Sequence, residues 1–284
     1  MKRKILLPTD FSKNAWHAIT YALELYKKEP VDFFILNVFS DRVDILSSLI
    51  KMEPGSEMYE TAKLDSENGL AKVLDMLTFR EYDNTKHHFE TISRFHNVVE
   101  AITDIVEEKD IEMIIMGTKG NTASRTNVFG GVAIDVMEKV RNCPVIVVPE
   151  QAKHNLPKEI VFPTSYKTHV KRRELKYLID LAKNCDASIR FLHAATEDTL
   201  SEKQLSNKAL LQDYFESVPH TFHTLSHTEI PTAIICFIES RDSDMVAFIN
   251  KKHAFFGSIL SNPLVKEIGY SSHVPIFVMH DLRN

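Results

Sequence analysis

Short apolar runs alternate with longer amphipathic segments along the first half of the chain. Ala15, Ile19 and Ala22 recur at helical spacing behind the first apolar run, and Ser12 precedes them as a good N-cap. The alternation predicts strands over residues 4–7, 32–38, 87–92, 113–116 and 144–148, and helices over residues 12–26, 57–77, 97–108 and 132–140. Fully apolar strands separated by helices are typical of a parallel sheet covered on both faces.

The pattern then restarts, and three sequence blocks recur in the same order. Residues 4–10 align with residues 159–165, and residues 143–148 align with residues 274–279. Between them, residues 98–116 align without gaps with residues 230–248 and share five identical residues. This order predicts an internal duplication. The predicted domains are residues 1–150 and 158–284, with residues 151–157 as their linker.

Charge and cysteine content narrow the class of protein. The chain has 34 Lys and Arg against 39 Asp and Glu, a net charge of −5, and neither half has the excess of basic residues typical of duplex binding. Its three cysteines lie far apart, so no disulfide framework is expected. The first apolar run ends at Pro8, too early for a signal peptide, and no run approaches the ~18 residues of a membrane span. A soluble, cytoplasmic protein without nucleic-acid or membrane partners is expected.

Glycine is scarce, and half of it lies in one segment. Four of the eight glycines fall between Gly117 and Gly131, after a predicted strand and before a predicted helix. Ligands of open α/β sheets bind at the carboxyl ends of strands, and the unpaired N–H groups at a helix start suit anions. Lys119 and Arg125 would neutralise phosphate charge there. A plain flexible loop explains the same spacing equally well, and neither a P-loop nor a G-x-G-x-x-G fingerprint is present.

The motif in this segment resembles that of the universal stress protein family in its tandem, two-domain form. The chain reads G-x2-G-x9-G-G from Gly117, against the family's G-x2-G-x9-G-[ST], so Gly131 replaces the hydroxyl residue. The sequence P-T-D after the first strand and C-P-V before the last one add to the resemblance. It covers nearly the whole chain, but it is specific only in residues 1–149.

The resemblance implies two doubly wound domains, each a five-stranded parallel sheet in the order 3-2-1-4-5 with helices on both faces. The domains would pair through their fifth strands, residues 145–148 and 276–279, as a pseudo-dimer within the chain that leaves a homodimer open. In ATP-binding relatives, adenosine lies over strand 1, backbone near the end of strand 2 holds the base, and the glycine loop wraps the phosphates. The corresponding residues here are Pro8, Thr9, Asp10, Val38, Met116, Gly117, Lys119, Gly120, Gly130, Gly131, Val132 and Ala133. Asp10 would touch the ribose or hold magnesium; an equal alternative is that it caps the following helix.

The implied function is a stress-response module that binds ATP, ADP or AMP in its first domain. Because Gly131 has no hydroxyl to donate to a phosphate, the site would favour AMP or ADP, bind ATP weakly, or be empty. The second copy has Ile249, Lys252, Ser261 and Asn262 opposite the motif glycines and is expected to be a structural partner. The rival hypothesis is a nucleotide-free adaptor that acts through protein contacts.

Catalytic and metal-binding groups are sparse in the sequence. No positioned base or phosphoryl-stabilising group stands out near the loop, so the chain is expected to hydrolyse ATP slowly at most. His220 and His223 would point to opposite faces of a strand, and His227 would lie too far from His223 to share one ion. No catalytic residue is therefore predicted, and any metal would be magnesium held with the nucleotide.

Overall fold

The computed structural model describes residues 2–39, 53–118, 130–195, 199–226, 228–250 and 273–280. The first half contains strands β1 (Arg3–Pro8), β2 (Val31–Phe39), β3 (His87–Phe95), β4 (Met113–Gly117) and β5 (Val145–Val148), and helices α1 (Lys13–Leu25), α2 (Glu57–Arg80), α3 (Val98–Lys109) and α4 (Gly131–Lys139). The second half contains strands β6 (Glu159–Pro163), β7 (Ser188–Ala195), β8 (His220–Ser226), β9 (Met245–Asn250) and β10 (Ile276–His280), and helices α5 (Lys176–Cys185), α6 (Glu202–Tyr214) and α7 (Ile230–Arg241). Each predicted element of the first half is confirmed, with its ends displaced by up to three residues.

All ten strands form one sheet in the order β3-β2-β1-β4-β5-β10-β9-β6-β7-β8. Each half therefore has the order 3-2-1-4-5, and every strand pair within a half is parallel. The halves join through their fifth strands, which run antiparallel with Ile146 opposite Phe277 and Val147 opposite Ile276. The fold class, the strand order and the pairing of the fifth strands are confirmed, whereas the domain limits 1–150, 151–157 and 158–284 stay a prediction.

Capping side chains set where the helices begin. Ser12, Ser56 and Asn97 each accept a hydrogen bond from a backbone N–H in the first turn of α1, α2 and α3. α3 and α7 both end on an aspartate in the left-handed conformation, Asp110 with φ 53° and Asp242 with φ 52°. The two aspartates are aligned in the internal repeat, so the duplication is visible in the backbone as well as in the sequence.

The sheet separates two apolar layers, and each layer contains side chains from both halves. Leu7, Ile146 and Phe277 lie in one layer, while Val145 and Val278 lie in the other. Residues that are adjacent along β5 or β10 enter opposite layers because side chains alternate across a strand. The fifth strands thus lie in the interior of a continuous core rather than at an exposed edge.

The carboxylate of Glu159, the first residue of β6, links β6 to β7 and α7 in the second half. It accepts hydrogen bonds from Arg190 Nε on β7 (2.7 Å), Arg241 Nε on α7 (2.7 Å) and Ser243 Oγ (2.9 Å). Burial opposes ionisation, but these hydrogen bonds outweigh it and lower the pKa of Glu159 from 4.5 to about 2.

We expect Glu159→Gln to lower the free energy of unfolding at pH 7 by about 1 kcal/mol, because solvent partly screens these charged hydrogen bonds. The folded-state pKa is lowered, so the contribution is complete above pH 4.5, is lost as the pH falls towards 2, and is absent below both values. Urea titrations at several pH values would check this. A difference between wild type and variant that stays constant from pH 7 to pH 2 would contradict it.

Candidate functional site

The candidate residues that the structure describes gather at the carboxyl edge of the first half of the sheet. Pro8 ends β1 and Gly117 ends β4, and these two strands are hydrogen-bonded neighbours. Val38 lies near the end of β2, on the other side of β1. Thr9 and Asp10 follow β1, Met116 precedes Gly117, and Gly130, Gly131, Val132 and Ala133 form the start of α4. Lys119, Gly120 and Arg125 lie outside the described residues.

The turn after β1 is fixed to β2 through Thr9. Its backbone N–H donates to Leu36 O (2.8 Å), its carbonyl accepts from Asn37 Nδ2 (2.7 Å), and its hydroxyl accepts from the N–H of Phe11 (3.0 Å). Phe11 adopts a left-handed conformation with φ 62°, which folds the chain back towards α1. Three hydrogen bonds of Thr9 therefore hold this turn against the end of β2 and set its conformation.

Asp10 contributes to the same turn, but it is not the helix cap. Its Oδ1 accepts a hydrogen bond from the N–H of Ser12 at 3.1 Å, and Ser12 Oγ in turn caps α1 by accepting from Ala15 N. The capping role offered as the alternative for Asp10 was wrong, because Ser12 holds that position. A role of Asp10 towards ribose or magnesium stays a prediction.

Buried polar groups hold the end of β4 against α1 and β5. Thr118, which is 1% exposed, donates from its backbone N–H to Val148 O (3.2 Å) and from its hydroxyl to Asn14 Oδ1 (3.2 Å). Asn14 Nδ2 also donates to Val148 O, at 3.2 Å. The carbonyl of Thr118 accepts from Gly130 N at 2.7 Å, which brings together the two ends of the segment that carries the glycine motif.

The two motif glycines at the ends of this segment differ in what surrounds them. A Cβ on Gly117 would lie 2.6 Å from Asn14 Oδ1 and 3.1 Å from the backbone carbon of Asn14, so α1 leaves no room for a side chain. A Cβ on Gly131 would meet nothing within 4 Å. Gly117 is thus required by packing between β4 and α1, whereas Gly131 borders open space at the start of α4.

The start of α4 offers hydrogen-bond donors to a ligand. Gly130 is the N-cap and supplies no capping side chain. The N–H groups of Gly131, Val132 and Ala133 have no acceptor within the helix, because the first turn of any α-helix lacks the preceding carbonyls. Val132 is 44% exposed at this end. Three N–H groups and the positive end of the helix dipole together suit a phosphate or another anion.

The turn after β6 in the second half has the same backbone geometry as the turn after β1, but side chains from α6 donate hydrogen bonds to it. Tyr166 has φ 56° and donates to Thr164 Oγ1 at 3.1 Å, as Phe11 does to Thr9. Gln204 Nε2 donates to Ser165 O (2.9 Å) and Asn207 Nδ2 donates to Tyr166 O (2.7 Å). Backbone carbonyls at this turn are therefore already occupied by the chain itself.

The end of β9 also differs from the end of β4. Ile249, opposite Gly117, is buried, and Asn250 stands opposite Thr118. The carbonyl of Asn250 accepts a hydrogen bond from Arg141 Nη2 of the first half at 2.9 Å, whereas the carbonyl of Thr118 accepts from Gly130 N. Lys252, Ser261 and Asn262 lie outside the described residues, so the rest of the predicted degeneration stays a prediction.

Comparisons with known proteins identify the family. The family model described as the universal stress protein family matches residues 1–149. The chain belongs to the universal stress protein family. Two universal stress proteins of Methanocaldococcus jannaschii are each 28% identical to it, over 159 residues (52% of this chain and 95% of the relative) and over 153 residues (53% and 84%).

A solved structure extends the likeness to both halves of this universal stress protein. The crystal structure of a universal stress protein from Archaeoglobus fulgidus has a TM-score of 0.70 with 19% identity and covers 97% of each chain. At that identity the likeness supports the tandem fold alone. Membership of the family places the chain among stress-response proteins.

Metal and membrane features are absent from the part of the chain that is described. No group of three or more His, Cys, Asp or Glu side chains there has a metal-binding arrangement. His223 Nε2 instead lies 2.7 Å from Thr221 Oγ1, and His227 is outside the described residues. None of the helices in the described ranges is long and apolar enough to cross a membrane.

Sequence reasoning missed Asn14 and Thr118, which are hydrogen-bonded to each other at the end of β4, beside the candidate site. Each is a polar residue at the edge of an apolar element, and neither residue contributes to a periodic pattern. Their contacts span 104 and 134 positions of sequence, which no local pattern reports. The one local signal was Thr118, a polar residue that follows an apolar strand and Gly117.

Proposed function

We propose that the first half of the chain binds an adenine nucleotide, ATP, ADP or AMP, as a regulatory module of the stress response. The observation that carries this proposal is the start of α4, where the N–H groups of the first turn have no acceptor within the helix and a Cβ on Gly131 would meet nothing within 4 Å. The family motif, with three of its glycines at the family's spacing, is what points to a nucleotide rather than to any other anion.

Each part of the nucleotide would meet a different element. The N–H groups of α4 would hold phosphate oxygens, and Lys119 and Gly120 would complete the loop around them. Thr9 and Asp10 would lie beneath the ribose, and backbone near Val38 would hold the base. If magnesium binds together with the phosphates, the carboxylate of Asp10 would be its protein ligand.

The second half is proposed to act as a structural partner rather than as a second binding site. At its turn after β6, Gln204 and Asn207 bond to backbone carbonyls, and Arg141 occupies the carbonyl of Asn250. Releasing Asn207 for a ligand would leave a buried amide without its partner, which costs about 1–3 kcal/mol.

The test of the proposed function restores the hydroxyl group that the motif lacks. Gly131→Ser should tighten ATP binding by roughly tenfold or more, because a hydrogen bond to a charged phosphate contributes about 1.5–3 kcal/mol. The side chain has room, since a Cβ at this position meets no atom within 4 Å. Isothermal titration with ATP, ADP and AMP, after any copurified nucleotide has been removed and identified by chromatography, would measure the change.

Gly131→Ala is the matched control, because it adds the Cβ without the hydroxyl and should leave the affinity near that of wild type. If neither wild type nor Gly131→Ser binds any of the three nucleotides at millimolar concentration, the proposed function is wrong. Equal tightening in the Ser and Ala variants would instead show that the hydroxyl is not the group that acts.

The adaptor hypothesis is favoured by a different surface. Phe79 and Tyr82, at the carboxyl end of α2, are 88% and 83% exposed, and Met76 beside them is half exposed. Apolar side chains grouped at one exposed place are typical of protein contacts. The adaptor hypothesis would be favoured if this protein bound no nucleotide and still acted in the stress response.

A further inference from the structure

The segment between Thr118 and Gly130 has both ends fixed by one set of buried hydrogen bonds. Thr118 Oγ1 donates to Asn14 Oδ1 at 3.2 Å, and Thr118 N and Asn14 Nδ2 both donate to Val148 O at 3.2 Å. The carbonyl of Thr118 then accepts from Gly130 N at 2.7 Å. One cluster therefore sets where the chain leaves β4 and where it returns to α4.

The position of Gly130 decides where the proposed phosphate donors point. Gly130 is the N-cap of α4, so the N–H groups of the next three residues take their direction from it. A hydrogen bond weakens steeply as its angle departs from linearity, and a shift of a few tenths of an ångström at a binding site lowers affinity. The hydrogen bond from Gly130 N to the carbonyl of Thr118 is thus the link between Thr118 and the start of α4.

Neither Thr118 nor Asn14 is exposed enough to touch a ligand. Thr118 is 1% exposed and Asn14 is 5% exposed, and Asn14 also packs against Gly117. In the second half the aligned residue, Asn250, donates from its side chain to Met137 O of the first half at 3.3 Å. The polar cluster built on Thr118 therefore belongs to the half that carries the glycine motif.

We propose that Thr118 and Asn14 are positioning residues that hold the start of α4 in the orientation that binds phosphate. This inference rests on the proposed function. Loss of the Thr118 hydroxyl should weaken binding of the phosphates but leave binding of the nucleoside unchanged, because β1 and β2 are proposed to hold adenosine. A merely structural role would weaken both.

The test compares ATP with adenosine, each as a competitor of a fluorescent ATP analogue, in wild type and variants. Thr118→Val removes the hydroxyl at nearly constant volume, and we expect its ATP affinity to fall about tenfold with adenosine affinity unchanged, the size of one hydrogen bond. Thr118→Ser keeps the hydroxyl and should retain the wild-type ratio of the two affinities.

Thr20→Val is the control, because it removes a buried hydroxyl that lies on α1 and outside the cluster around Thr118. Thr20 is 3% exposed and donates to His17 O at 2.9 Å, away from the glycine segment, so the ratio should not move. Equal weakening of ATP and adenosine in Thr118→Val, or no change in either, overturns the inference and leaves the proposed function standing. A wild type that binds neither competitor nor analogue overturns the proposed function, and this inference with it.

Discussion

Replacing Phe277 by alanine is expected to lower the free energy of unfolding by about 3–5 kcal/mol, the cost typical of truncating a buried phenylalanine. Phe277 is 0% exposed and lies on β10 opposite Ile146 of β5, where the two halves of the sheet meet. The cavity would open in a core layer that contains side chains from both halves. We therefore expect the first half to lose stability together with the second.

The single tryptophan makes this expectation measurable. Trp16 lies on α1 in the first half and packs against the same core layer, so its fluorescence reports on unfolding of that half. In urea, the midpoint followed by Trp16 fluorescence should fall in Phe277→Ala by as much as the midpoint followed by circular dichroism. Coincident transitions would show that the tandem protein unfolds as one cooperative unit.

Phe79→Ala is the control for the same change of residue type at the surface. Phe79 is 88% exposed, and its truncation should alter the free energy of unfolding by no more than about 0.5 kcal/mol. An unchanged Trp16 midpoint in Phe277→Ala would contradict a shared core and would mean that the two halves unfold independently.

The helices and strands were predictable from sequence because the patterns that specify them are local and recur in both halves. Apolar runs of strand length alternate with helical stripes, and Ser12 marks a helix start that the structure confirms. The aligned aspartates at positions 110 and 242 fall at the same helix end in both halves. The sheet order and the pairing of β5 with β10 came from the family resemblance, since periodicity alone does not specify which strands are neighbours.

The position of the candidate site was predictable from sequence, but the packing and buried hydrogen bonds around it were not. The glycine spacing located the carboxyl edge of β4, yet it did not distinguish the surroundings of Gly117 from those of Gly131. In the structure, Gly117 is confined by Asn14 of α1 and Gly131 borders open space, a difference that depends on tertiary packing. The contributions of Asn14 and Thr118 depend on contacts between distant elements, which a single sequence does not report.

The second half shows why the same fold need not keep the same site. α1 begins at Lys13, five residues after Pro8, whereas α5 begins at Lys176, thirteen residues after Pro163. A 3-10 turn over Arg172–Leu175 precedes α5, and Ile249, a full side chain in the position aligned with Gly117, is buried. In this half, Asn207 and Arg141 donate hydrogen bonds to the backbone carbonyls of Tyr166 and Asn250.

Two motif glycines should respond in opposite ways to the same substitution. Gly117→Ala is expected to lower the free energy of unfolding by about 2–4 kcal/mol, from over-packing and from loss of a buried hydrogen bond. Its Cβ would lie 2.6 Å from Asn14 Oδ1, so this oxygen, which accepts the hydrogen bond from the Thr118 hydroxyl, has to move. ATP affinity should fall as well, because the same movement displaces the end of β4.

Gly131→Ala serves as the matched variant, since it adds one methyl group to the other end of the same segment. Its Cβ meets no atom within 4 Å, and alanine is a better helix residue than glycine, so its stability should stay equal to wild type or rise by up to about 1 kcal/mol. Urea denaturation of both variants at pH 7 measures the contrast. Equal destabilisation would mean that the motif glycines are needed for backbone conformation, whereas the expected asymmetry assigns Gly117 to packing and leaves Gly131 available to a ligand.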